Sequence, residues 1–144
     1  MTGSTFGTSA YGGAGWSPRS AASREEIGSV WATCGIDSEW RTLRGVVLHR
    51  PGAELDNSAD PTAVQMLAPL DSQRAGAEHD AMAAMYAQLG VDVHLVAPAE
   101  QPKPNQMFCA DLMFATPEGV ILARPASTVR AGEERYVARR LADI

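Results

Sequence analysis

Apolar residues along this chain fall into short runs whose period changes from two to about 3.6 and back. The first clear run is Arg44-Gly45-Val46-Val47-Leu48-His49, short and β-branched, and stopped by Pro51-Gly52; it predicts a strand. Residues 52–70 have no period, and Asp56, Asn57, Asp60, Pro61 and Pro69 mark them as a loop with short turns. From about Gln73 to Leu89 the pattern is helical. Asp71 or Ser72 can cap that helix and Gly90 can end it. Met82, Met85, Tyr86 and Leu89 lie at i, i+3, i+4 and i+7, which places them on one apolar face. Val91, Val93 and Leu95 then alternate with Asp92 and His94, as a second strand would. Pro98, Pro102 and Pro104 break the chain before a third run. From Phe108 to Thr116 that run reads as a strand, turned at Thr116-Pro117-Glu118-Gly119 into a returning strand over Val120–Arg124. A last helix begins near Gly132, with Val137, Leu141 and Ile144 on one face. The sequence ends there without a capping residue and reads as interrupted. Helix, glycine, strand is the signature of an α/β fold.

Residues 1–23 read as a flexible Gly/Ser/Thr-rich tail, and residues 24–144 as the folded domain, with order beginning near Ile27 to Trp31. Such low complexity buries too little apolar surface to offset ordering entropy. Gly12, Gly13 and Gly15 have no preceding strand and no following Lys-Ser/Thr, so a phosphate loop is not expected there.

With 144 residues, 45% of them hydrophobic, the chain has one domain's worth of core-forming sequence. A net charge of -5 argues against nucleic acid as the main partner. No run approaches the roughly 18 apolar residues of a membrane span, and no basic, then apolar, export signal opens the chain. The expectation is a cytoplasmic protein without a membrane segment. Cys34 and Cys109 are then more readily two free thiols than a disulfide. His49, His79 and His94 lie on separate elements without metal-ligand spacing, so neither a metal nor another cofactor is expected. His79, one turn before Met82 and Ala83, reads as a helix-surface or hydrogen-bonded structural residue.

Asp111 stands out because it interrupts an apolar run. In a strand it would share one face with Cys109, Met113 and Ala115, opposite Phe108, Ala110, Leu112 and Phe114. A buried carboxylate there needs a partner, since an unpaired one costs several kcal/mol. A guanidinium is the best planar match. Two readings follow: a grip on a ligand's guanidinium, or a structural ion pair with Arg124 or Arg130.

The segment Asn105-Gln106-Met107-Phe108-Cys109-Ala110-Asp111, followed by Gly119-Val120-Ile121-Leu122, Arg130 and Glu133-Glu134, resembles the N-x-x-F-x-x-D … R-x-x-E stretch of the guanidine-modifying superfamily of arginine deiminases, amidinotransferases and dimethylarginine hydrolases. Trp40 to Leu55 resembles the opening strand and loop of that superfamily, and His79-Asp80 and Gly90-Val91-Asp92-Val93 match in order. The run from Asp111 to Gly119 is most similar to the bacterial amidinotransferases. The resemblance spans roughly residues 38–144. It implies an α/β propeller (the pentein fold) of ββαβ units, of which this chain supplies about two of five blades. It implies that Asp111 grips the substrate guanidinium, that Phe108 lines the pocket, and that Asn105 and Arg130 hold the α-carboxylate of an arginine-like substrate. Without the resemblance, Arg130 reads as an exposed arginine near a helix start. The resemblance also implies a cysteine nucleophile with an acidic residue and a His-x-Asp pair in the superfamily's C-terminal half, and none of these has a match here. Cys109 reads as a small packed side chain, and no role falls to Cys34.

The leading expectation is therefore half of an amidino-group-transferring enzyme, inactive alone, whose Cys and His come from a partner chain in a hetero-oligomer. Amidine hydrolase or deiminase activity is the alternative within that reading. A non-catalytic guanidine-binding or regulatory subunit is the alternative outside it, and a truncated product without a role of its own is the third.

Overall fold

The computed structural model describes residues 16–30, 35–36, 38–56 and 60–144. The tail expected over residues 1–23, Trp31 and Cys34 fall largely or wholly outside them. The chain divides into two compact units, Met1–Thr33 and Cys34–Ile144. In the first, a single helical turn, α1 (Ser23–Glu26), is closed by the Glu25 carboxylate, which accepts from the Ala22 amide at 2.8 Å. The Arg19 Nε donates to Glu26 at 2.6 Å in the same unit.

The second unit is α/β. Strand β1 (Gly45–Leu48) pairs in parallel with β2 (Asp92–Leu95), in the register Val46↔Val93 and Val47↔His94. Parallel neighbours need a long crossover, and two short 3-10 turns plus helix α2 (Ser72–Gln88) supply it. The Asp71 side chain caps α2 by accepting from the Arg74 amide at 3.0 Å, and Gly90, at φ +77°, lets the chain leave it. The antiparallel hairpin of β3 (Met113–Thr116) and β4 (Gly119–Leu122) pairs Phe114 with Ile121 and Ala115 with Val120. Its two-residue loop closes at Gly119, whose φ of +127° suits a residue without a β-carbon. Helix α3 (Glu134–Leu141) follows.

The core forms where these pieces meet. Val96 just past β2, Cys109, Leu112, and Tyr136 and Val137 of α3 are buried together, with Val47, Met113 and Leu141 packed against them.

Three expectations need correction. First, Phe108–Thr116 is not one strand. Cys109–Asp111 is a 3-10 turn, and the strand starts only at Met113. The alternating faces expected at Asp111 do not exist, and its side chain remains 59% exposed. The turn packs Cys109 and Leu112 into the core together, which a strand would do only for residues of equal parity. Second, Met85 and Leu89 of the expected apolar face of α2 are exposed. The inward face instead follows Ala75, Gly76, His79, Met82, Ala83 and Tyr86. Small residues allow α2 to approach its neighbours along that face. Third, His79 is neither on the surface nor hydrogen-bonded. Its side chain is 9% exposed, and both ring nitrogens lack a hydrogen-bond partner among the described residues.

Candidate functional site

The tract that carries the candidate site begins with a 3-10 turn, Pro104–Met107. Proline at its start suits the fixed φ of a first helical position. The turn buries Asn105 and Gln106. The Asn105 side-chain amide donates to the Val64 carbonyl at 2.7 Å, which ties the tract to the crossover before α2. The second 3-10 turn then puts Asp111 at the rim and Cys109 inside. From the far side of the hairpin, residues 127–130 form a turn in which the Ser127 hydroxyl accepts from the Val129 amide at 3.1 Å. The Lys103 ammonium donates to the Thr128 carbonyl at 2.9 Å and joins the two segments.

The Arg130 guanidinium is the hub. Its Nη1 donates to Asp111 Oδ2 at 2.6 Å and its Nε to Glu133 Oε2 at 2.8 Å. Its Nη2 faces the carbonyls of Phe108, at 3.3 Å, and Asn105, at 3.5 Å. The Phe108 ring centroid lies 5.8 Å from the guanidinium carbon, within cation–π range. The side chain is 16% exposed and Glu133 is fully buried. Burial pulls the Arg130 pKa down, but hydrogen bonds to Asp111 and Glu133 outweigh it, and the net shift is upward. Burial also raises the Glu133 carboxyl, against the lowering pull of Arg130.

All four residues singled out in the sequence thus converge. Asp111 and Arg130 meet each other, Phe108 offers its ring and carbonyl, and Asn105 offers its carbonyl while its amide is committed to Val64. The alternative partner, Arg124, is not the one that Asp111 takes. Glu133 received no role from the sequence although it stood in the quoted motif. The signal was its i, i+3 spacing from Arg130, which brings an acidic and a basic side chain together on a helical turn.

Cys109 is a poor nucleophile here. Its thiol is buried, rests against the Gln106 carbonyl at 3.5 Å, and has a pKa raised to about 11, by burial first and then by the Glu133 charge. His49 is buried between the Val96 carbonyl, 2.8 Å from Nδ1, and Glu54, 3.3 Å from Nε2. His94 Nδ1 lies 3.4 Å from an Arg140 nitrogen. Among the described residues no group of three or more His, Cys, Asp or Glu could hold a metal ion, and no helix is long and apolar enough to cross a membrane.

The family model for eukaryotic N,N dimethylarginine dimethylhydrolase matches residues 56–143, more than half of the chain. The chain belongs to that family. It is therefore a member of the guanidine-modifying pentein superfamily, and its α/β architecture is compatible with part of a pentein fold. The match takes in all of α2, both 3-10 turns of the site, the hairpin, Arg130 and Glu133. No curated protein and no solved structure matches the chain.

Proposed function

We propose that this chain is the guanidinium-binding part of an amidine-processing enzyme of the dimethylarginine hydrolase type, and that its reactive Cys and His come from a second chain. The convergence of Asp111, Phe108 and Arg130 in one cradle carries the reading; Asn105, buried with its amide on Val64, offers only a carbonyl and supports Arg130 rather than a carboxylate. The cradle holds a carboxylate for a guanidinium, an aromatic face beside it and a cation for an α-carboxylate. Asp111 would fix the guanidinium plane, and Arg130 would set the far end of the substrate. The chain would contribute about two blades of a five-bladed propeller.

In the reaction a thiolate adds to the guanidinium carbon, and the carbon–nitrogen bond to the departing amine breaks as a histidine passes that amine a proton. Water then attacks the covalent amidino-cysteine and regenerates the thiol. With N,N-dimethylarginine the products are dimethylamine and citrulline. Neither buried Cys109 nor His49, held between a carbonyl and a carboxylate, suits these steps. Transfer to an acceptor amine instead of water is the second reading, and the likeness of Asp111–Gly119 to bacterial amidinotransferases favours it.

The test is to purify the chain from its own source, determine its companions by native mass spectrometry, and assay citrulline from N,N-dimethylarginine and from arginine. The chain alone is expected to give none, and the complex with a Cys- and His-bearing partner to give citrulline. Turnover by the isolated chain overturns the division of labour proposed.

A further inference from the structure

The proposed substrate site is already occupied, by the protein itself. Asp111, the carboxylate assigned to a substrate's guanidinium, is bonded at 2.6 Å to the guanidinium of Arg130. That same guanidinium lies against the Phe108 ring and the carbonyls of Phe108 and Asn105. Arg130 thus takes the carboxylate and the aromatic face that the site reading assigns to a substrate guanidinium. It is anchored from behind by buried Glu133 on Nε, so only its outer edge is free to change partner.

We infer that the Asp111–Arg130 ion pair is a specificity filter that admits guanidino acids and rejects simple guanidines. The inference rests on the substrate-site reading given above. Entry of any guanidinium at Asp111 displaces the outer edge of Arg130. A ligand that also carries an α-carboxylate gives Arg130 a new partner, so each charge leaves one partner and gains another. A ligand without the carboxylate leaves Arg130 largely desolvated, at 16% exposure, with one bond fewer. Stranding a buried charge is costly, and it opposes binding of the wrong ligand without adding anything to the right one. The apparent affinity for a guanidine without the acid falls by the fraction of molecules in which the pair is closed.

Agmatine, which is arginine without its carboxylate, separates this filter from a simple carboxylate contact. If Arg130 only binds carboxylate, its loss weakens arginine and leaves agmatine unchanged. If it filters, its loss also tightens agmatine. The experiment is calorimetric titration of the full chain, as it occurs with any partner, using arginine and agmatine against the parent, Arg130→Gln and Asp111→Asn. Arg130→Gln is expected to bind agmatine roughly 1.5- to fivefold more tightly than the parent, the range for loss of one partly exposed ion pair, and to bind arginine more weakly. Because Arg130→Gln leaves Glu133 buried without its cation, the double variant Arg130→Gln/Glu133→Gln repeats the titration with no stranded carboxylate. Agmatine affinity that is unchanged or weaker in both variants overturns the filter, even if Asp111→Asn abolishes arginine binding and so upholds the site. Arginine binding that survives Asp111→Asn, or that is absent from the parent, overturns the site reading itself.

Discussion

Buried Glu133 holds the Arg130 guanidinium at 2.8 Å from behind, and the outer edge of that guanidinium holds the exposed carboxylate of Asp111 at 2.6 Å. Sequence patterning could not decide between the two arginines named for it, since that depends on how the hairpin brings residues 127–130 back. Glu133 escaped notice for a related reason. An i, i+3 acid beside a base is usually a solvated pair of small worth, and only the packed α3 start shows that it is fully buried. That burial sets its energetics apart from a surface pair. Glu133→Ala is expected to destabilise the fold by about 1–3 kcal/mol, because Arg130 loses a buried partner but keeps its bond to Asp111, and urea unfolding measures it. A loss below about 1 kcal/mol contradicts the buried anchor. Cys109→Ser is expected to leave the activity of the complex largely intact, because a thiol with a pKa near 11 is almost wholly protonated at neutral pH. Abolished turnover with a normal fold would place the nucleophile here after all.

His79 carries the residue-scale pH dependence. Its pKa is lowered, by burial first, with Arg50 and His49 adding to the shift and Asp80 opposing it. A histidine depressed in the folded state takes up protons more readily when unfolded. Its contribution to stability is thus complete above the ordinary value near 6.5 and is lost as pH falls through the folded pKa. The chain is expected to lose stability on acidification below about pH 6.5, and His79→Phe is expected to flatten that loss. Equal pH slopes for parent and variant in thermal unfolding between pH 5 and 7 count against it.

Among the elements, α2 was the most legible and still misread in part. Its ends followed from Asp71 and Gly90, but its inward face did not follow from the large apolar residues. The small ones decide it. Gly76 lies under the Arg50 guanidinium so closely that a β-carbon would sit 2.7–2.9 Å from it, while Arg50 pairs with Asp80 at 2.8 Å. Gly76→Ala should gain up to about 1 kcal/mol of helix propensity. It also pushes Arg50 off a pair that is half exposed and worth at most about the same. The single substitution is expected to be near neutral, but in an Arg50→Ala background it becomes stabilising by about 1 kcal/mol. A double-mutant cycle reads the difference as coupling, and additive effects rule out the contact. The break at Cys109–Asp111 was invisible for a different reason. A 3-10 turn and a short strand both accept an apolar run with one polar residue, and only the need to bury Cys109 and Leu112 on one side distinguishes them.

At the scale of the whole molecule, the described second unit contains two two-stranded sheets, each with both outer edges left unpaired among the described strands. Composition spoke for a folded domain and the helix–glycine–strand pattern for an α/β one, without revealing how little of the large apolar surface the fold covers among the described residues. Phe114 and Ile121 face each other across the hairpin and remain 69% and 62% exposed. Leu122 nearby and Met85 and Leu89 on α2 are exposed as well. A directly opposed aromatic and β-branched pair normally stabilises a sheet by packing, and an exposed one on a two-stranded hairpin invites a neighbour. The second chain proposed for catalysis would cover such surface. In its absence the chain is expected to associate with itself, so that the light-scattering mass rises with concentration across the micromolar range. Phe114→Ser/Ile121→Ser should lower that rise without unfolding the hairpin, whose closure rests on Gly119 and on the Thr116 hydroxyl donating to the Gly119 carbonyl at 2.9 Å. A parent chain that stays monomeric at all concentrations would mean that this exposure is tolerated and gives no support to the proposed partner.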